Sequence, residues 1–168
     1  MPEVDPFAAL GLPVRFDLEP AHIERAYLAR VASVHPDLGD TDDEAADTAA
    51  ELNLARQTLL NPETRASALL ALLGFHKEDK SLPDGFLMEI MDVRMELEEA
   101  FAEGNSERIA HWRRWADEQR KEWIDTISGL FRNLTGPGDS VTLSEIKRSL
   151  NAWRYIERMI EQAGTTGR

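Results

Sequence analysis

Apolar residues along the chain recur at intervals of three and four, and no segment alternates apolar and polar positions as a half-buried strand would. The pattern predicts helices almost throughout. A short helix spans about Pro6 to Leu10 and stops at Gly11-Leu12-Pro13. Asp17 to Pro20 offers an N-cap and a first-turn proline for a second helix, from about Pro20 to Val34. That helix ends at His35-Pro36, because the residue before a proline is pushed out of helical geometry. After a polar loop containing Gly39, a third helix runs from Asp42 or Asp43 to Leu60, with acids at the positive end of its dipole. Asn61-Pro62 closes it and opens a fourth helix that reaches Leu73, with Gly74 as its C-cap.

Residues 75–85 are rich in charge, contain Pro83 and Gly85, and read as a linker. Three longer helices follow, over about Phe86 to Glu103, Ser106 to Asn133 and Ser140 to Gln162. Gly104-Asn105 and Thr135-Gly136-Pro137-Gly138 separate them, and Ala163 to Arg168 should fray. The fold class expected is all-α: a small four-helix unit over 1–74, then a three-helix bundle over 86–168.

At about 100° per residue, Phe86, Ile90, Val93, Leu97 and Phe101 fall on one stripe suited to a bundle core. Leu87, Met88, Met91 and Met95 form a second apolar stripe, turned away from the first and bordered by Asp92, Glu96 and Glu99. Such a Met-rich strip rimmed by acids suits an adaptable protein-binding surface; a helix buried over a wide arc would show the same pattern. In the last helix Leu143, Ile146, Leu150, Trp153, Ile156 and Ile160 share a face, with Tyr155 and Met159 pointing elsewhere. The middle helix faces the core with Ile109, Trp112, Ala116, Trp123, Ile127 and Leu130, leaving Trp115 off the stripe and partly exposed.

Charge narrows the function. The chain has 31 acidic against 19 basic side chains, a net charge of −12, which argues against nucleic acid as a partner. There is no cysteine, so disulfides, thiolate nucleophiles and cysteine-held zinc or iron–sulfur centres are excluded. No signal peptide and no membrane-length apolar run is evident, and a cytosolic location is expected. No catalytic constellation, metal site or cofactor motif stands out.

The sharpest local feature is His35-Pro36-Asp37 between two helices. Pro36 stiffens the turn and presents His35 and Asp37 at a corner where they can hydrogen-bond a partner. Phe7, Leu10-Gly11-Leu12 and Ala26-Tyr27-Leu28 lie upstream. Leu52-Asn53, Ala55, Thr58-Leu59, Pro62, Arg65-Ala66 and Leu69-Leu70 follow downstream. In this order and spacing they resemble the J-domain of the DnaJ superfamily. The resemblance implies that His35, Pro36 and Asp37, with Arg25, Arg30 and Tyr27 on the preceding helix, contact a DnaK-type chaperone and stimulate its ATP hydrolysis. Asp37 would engage an arginine of that partner. The sequence departs from the family in its few basic residues on that helix, in Leu38 after the turn, and in Arg56, where an aromatic is common.

A J-domain followed directly by a bundle beginning Phe86-Leu87-Met88-Glu89 resembles the HscB family of J-type co-chaperones of iron–sulfur cluster biogenesis, over essentially the whole chain. The resemblance implies two partners: an HscA-like chaperone of the DnaK type, and an IscU-like cluster scaffold protein bound by the bundle. It implies that Leu87, Met88, Met91, Asp92, Glu96 and Glu99 bind that scaffold, with Tyr155 from the last helix. Met95 stands where the family usually has an acid. The resulting expectation is a bifunctional adaptor that is not an enzyme and needs no cofactor. A J-protein for another client, a J-like adaptor unable to stimulate, and a small helical enzyme are the alternatives.

Overall fold

The structure, a computed structural model, describes residues 5–33 and 42–166, with side chains at 5–33 and 46–163. It contains α1 (Pro6–Leu10), α2 (Pro20–Ser33), α3 (Asp42–Leu60), α4 (Pro62–Leu72), α5 (Phe86–Ala102), α6 (Ser106–Asn133) and α7 (Ser140–Thr166), and no strand among the described residues. The chain divides into two compact units, Met1–His76 and Lys77–Arg168.

In the first unit, each short helix is fixed by its cap. Asp5 accepts from the amides of Phe7 (2.9 Å) and Ala8 (3.2 Å), Pro6 supplies a preset torsion, and Gly11 closes α1 in the left-handed region at φ 65°. Helix α2 begins at Pro20 itself, where the Glu19 carbonyl accepts from His22 (2.9 Å) and Ile23 (3.2 Å). The helix thus starts at the proline of the Asp17 to Pro20 segment expected to open it. The loop before α2 is closed from α4. Arg65 donates through Nη1 to the carbonyls of Phe16 (2.6 Å) and Leu18 (3.1 Å), with its guanidinium 5.3 Å from the Phe16 ring centre. Burial pushes the pKa of Arg65 below the usual arginine value, and the charge of Asp17 opposes that shift.

Phe7, Leu10, Ile23, Leu59 and Leu69 are among the buried apolar residues of this unit. Asn61 caps α4 by accepting from Glu63 (2.8 Å). That helix ends at Leu72, one residue short of the expectation, with Leu73 as its C-cap and Gly74 in the left-handed region after it.

In the second unit, Asn105 caps α6 and Asp139 caps α7, each accepting a backbone amide at 3.1 Å. The α5 stripe packs as its spacing predicts. Phe86, Ile90 and Leu97 are buried with Ala116, Ala152, Ile156, Met159 and Ala163, while Val93 and Phe101 pack at the margin. Two expectations for α7 are corrected. Met159 lies in this core rather than off it, because α7 buries a broad arc that also takes in Ala152. The helix also runs past Gln162 to Thr166, since Ala163 is buried and holds the extra turn down.

A polar clamp joins α6 to α7. Arg120 grips the Glu157 carboxylate through Nε (2.6 Å) and Nη2 (2.8 Å), and the Trp153 indole donates to the same group at 2.9 Å. Residues 77–85 carry no helix up to the turn that starts α5. They are tied to the second unit by Asn151, whose Nδ2 donates to the carbonyls of Asp79 (2.8 Å) and Ser81 (3.0 Å).

Candidate protein-binding surfaces

The His35-Pro36-Asp37 turn lies outside the described residues. What is described is the helix that leads to it. On α2 only Ile23 is fully buried, while Arg25, Leu28, Arg30 and Val31 are exposed and Tyr27 is half-buried. A helix with one buried residue needs other means of fixing its orientation, and α3 supplies them. Arg56 donates through Nε and Nη2 to the two oxygens of Glu24, both at 2.8 Å, and sets its guanidinium 5.0 Å from the Tyr27 ring centre. The hydrogen bonds from Arg56 hold Glu24 below the usual carboxylate range, and the same pairing raises Arg56 above the usual arginine value. Thirty-two residues separate this pair in sequence, so no spacing rule in a single sequence could have found it.

Arg30 is also placed by a contact. A Cβ built on Gly11 would stand 2.7 Å from Arg30 Nη2, so the guanidinium lies directly against the Gly11 backbone. Gly11 is therefore required twice, by its positive φ and by that close approach. Arg25, the other arginine of α2, is exposed and closes no ion pair among the described residues.

On α5, Leu87, Met88, Met91, Asp92, Glu96 and Glu99 are all exposed. Met88 is 80% and Met95 66% exposed, values that place both stem and tip of an apolar side chain in water. The helix rotation puts Leu87, Arg94 and Glu98 on one flank and Asp92, Glu96 and Glu99 on the other, with Met88 and Met95 between them. On the acidic flank, Glu99 accepts from Arg108 of α6 at 2.8 Å, and Glu103 accepts from the same guanidinium at 3.0 Å. On the other flank, Arg94 pairs with Glu98 at 2.8 Å, and the hydroxyl of Tyr155 helps to hold its charge.

Tyr155 therefore stands beside the Leu87 and Arg94 flank, across the Met strip from the acids. Its ring is half-buried and meets Phe86 edge-on at 5.8 Å. Trp115 is likewise half-buried, against Trp112 at 5.7 Å. Among the described residues no group of three or more histidine, aspartate or glutamate side chains could hold a metal. No helix among them is long and apolar enough to cross a membrane.

Known proteins share this arrangement. The crystal structure of human co-chaperone protein HscB superposes with a TM-score of 0.79 at 24% identity, covering 99% of this chain and 83% of that one. Chaperone HscB from Vibrio cholerae superposes at 0.71, with 23% identity and 97% of each chain covered. The fold is thus all-α, a J-domain followed by a C-terminal helical domain. A family model described as the HSCB C-terminal oligomerisation domain matches residues 82–164. The co-chaperone protein HscB homolog of Acinetobacter baumannii is 30% identical over 156 residues, 92% of this chain and 85% of that protein. Its counterpart in Paraburkholderia phymatum is 30% identical over 167 residues, 95% and 91% of the two chains. The chain belongs to the HscB co-chaperone family.

Proposed function

We propose that the protein is a bifunctional adaptor of iron–sulfur cluster assembly. Its J-domain, residues 1–74, engages an HscA-like chaperone of the DnaK type through His35, Pro36 and Asp37, with Arg25, Arg30 and Tyr27 on the adjoining helix. Its C-terminal bundle, residues 86–168, holds an IscU-like scaffold protein on Leu87, Met88, Met91, Asp92, Glu96 and Glu99, with Tyr155 at the flank. One chain bearing both surfaces raises the effective concentration of scaffold at the chaperone. The protein would then act on another protein's ATP hydrolysis and not through an active site of its own.

The observation that carries this reading is the strip on α5. Leu87, Met88, Met91 and Met95 are 51 to 80% exposed, although the same helix has a full apolar stripe for its own core. A helix that needed only to fold would keep water-facing positions polar; four unbranched or flexible apolar side chains there fit an adaptable partner site. The acids beside them supply orientation.

Steady-state ATP hydrolysis by a DnaK-type chaperone, with this protein and the scaffold added separately and together, tests both halves. Synergistic stimulation that disappears with Asp37→Asn is the expected result. Stimulation indifferent to scaffold would keep the J-domain role and reassign the client. Absence of any stimulation would leave a binding adaptor. That outcome has a structural motive in α2, whose arginines are Arg25 and Arg30, the latter lying against Gly11.

A further inference from the structure

The second unit contains a pocket of about 550 Å3 where residues 78–82 lie against α5 and α7. Its lining includes Lys80, Arg94, Lys147, Arg154 and Arg158, five cations in a chain of net charge −12. Opposing them in the lining are two acids, Glu78 and Asp79. Asp79 is already engaged, accepting from the Ser81 amide at 2.8 Å. Lys147 and Arg158 close no ion pair among the described residues. Arg94 is paired with Glu98 at 2.8 Å, so the local excess of positive charge is carried by Lys80, Lys147 and Arg158.

The wall is built rather than incidental. Asn151 holds the Asp79 and Ser81 carbonyls, which fixes residues 79–81 as one side of the pocket. Positions 147, 151, 154 and 158 recur at helical spacing, so α7 presents its cations and that asparagine along one face. Between the cations lie Leu82, Tyr155 and Met159. The crowding is visible in Lys147, whose pKa is depressed by burial and by the neighbouring Arg154, against the opposing pull of Asp79 and Glu78.

Two features decide the ligand. The volume falls in the ~300–1,000 Å3 range of pockets that enclose a multi-atom ligand, well beyond what one oxyanion fills. The mixed lining asks for carboxylates with an apolar side chain between them. Tyr155 belongs at once to this pocket and to the client surface assigned above, so the two are continuous. We propose that the pocket takes an acidic peptide segment of the client protein, with carboxylates on Lys147 and Arg158 and an apolar side chain on Leu82 and Met159. This rests on the reading of the bundle as the client-binding unit.

The test uses the full chain, labelled with 15N and titrated with the peptide acetyl-Glu-Leu-Glu-Glu-amide and, separately, with inorganic phosphate. Saturable shifts at residues 79–82 and 147–158 with the peptide, at least tenfold weaker after Arg158→Glu, are expected. Lys147→Gln serves as a second variant, and unchanged amide dispersion elsewhere shows that each still folds. Absence of shifts at millimolar peptide overturns the proposal. Phosphate binding at the same residues as tightly as the peptide also overturns it, in favour of a simple oxyanion site. Scaffold binding by Arg158→Glu is then compared with the parent: a fall of about fivefold or more supports the assignment to the client, and no change overturns it. If the scaffold binds neither the parent nor Leu87→Ala/Met88→Ala/Met91→Ala, the client reading fails, while the peptide titration independently decides whether the pocket takes carboxylates.

Discussion

The two units place their basic side chains differently. In the J-domain, Arg65 is buried under backbone carbonyls, Arg56 is clamped on Glu24 and Tyr27, and Arg30 lies against Gly11. In the C-terminal unit the core is apolar, and several cations instead gather along α7 around an open pocket. A small unit with a short helix α1 and a helix α2 that fully buries only Ile23 must complete its packing with polar ties. A bundle of long helices buries its core without them; Arg94, Arg108 and Arg120 pair with carboxylates at its surface, while Lys147 and Arg158 close no ion pair among the described residues. Helix α2, where the family resemblance calls for a basic stripe, carries only Arg25 and Arg30, and Arg30 lies against Gly11.

The largest effect expected on the stability side of this comparison is in the bundle. Leu97→Ala removes a fully buried side chain at the centre of α5 and should cost about 3–4 kcal/mol. Met88→Ala, one face away and exposed, should stay within about 0.5 kcal/mol while weakening scaffold binding. Because the chain has two units, amide exchange within 86–166 is a better readout than a single melting curve. Equal losses from the two variants would show that the Met strip is core.

That division of α5 was legible in the sequence, because a single helix with one buried face obeys its 3.6-residue period closely. The caps were also legible, since Asn61-Pro62 and Gly104-Asn105 act through local geometry alone. The two errors on α7 share a cause. Met159 and Ala163 are buried because α7 packs on both α5 and α6, and a helix with two neighbours buries an arc too wide for one stripe to describe. The hydrogen bonds from Arg56 to Glu24, Arg65 to Phe16 and Leu18, and Arg120 to Glu157 were invisible for a different reason: each joins residues 32 or more apart, and such polar ties leave no periodic trace. The cations of α7 did leave one, at positions 147, 154 and 158, but it becomes meaningful only when Asn151 brings residues 79–81 against that face.

The next effect in size tests whether the first unit depends on a buried arginine. Arg65→Met keeps most of the volume but removes the Nη1 donor shared by the Phe16 and Leu18 carbonyls, the former keeping the Leu18 amide at 2.9 Å. Losing these two buried charge-assisted hydrogen bonds should cost about 2–3 kcal/mol. Faster amide exchange across residues 12–23, with the bundle unaffected, is the expected signature. A variant as stable as the parent would mean that the apolar residues alone hold that loop.

A smaller effect is expected at the clamp between α6 and α7. Arg120 and Trp153 depress the Glu157 pKa by their hydrogen bonds, against the opposing effect of burial. A carboxylate whose pKa is lower folded than unfolded adds stability above its unfolded value, and that contribution disappears as pH falls through the folded value. Glu157→Gln should therefore cost about 1 kcal/mol near neutrality, a figure kept small because Arg120 is part-exposed and screened. The gap between variant and parent should close on acidification through the carboxylate range. A gap that persists in acid would assign the cost to packing of the glutamine instead.

The smallest effect on stability, and the one that bears most directly on the comparison, is at Arg56. Its guanidinium and the Glu24 carboxylate are both part-exposed, so breaking them should hardly change global unfolding. Their role is orientation: Arg56 fixes both the Glu24 carboxylate and the Tyr27 ring on a helix that fully buries only Ile23. Arg56→Gln should therefore speed amide exchange along α2 while leaving α4 protected, and added salt should mimic it in the parent. Arg56→Phe provides the sharper test, because an aromatic at that position can cover Tyr27 without an ion pair. Restored α2 protection that no longer responds to salt would show that the arginine does by charge what apolar contact can do equally well. Continued fraying with phenylalanine in place would show that the two hydrogen bonds to Glu24, rather than the stacking on Tyr27, set the angle at which α2 presents its surface.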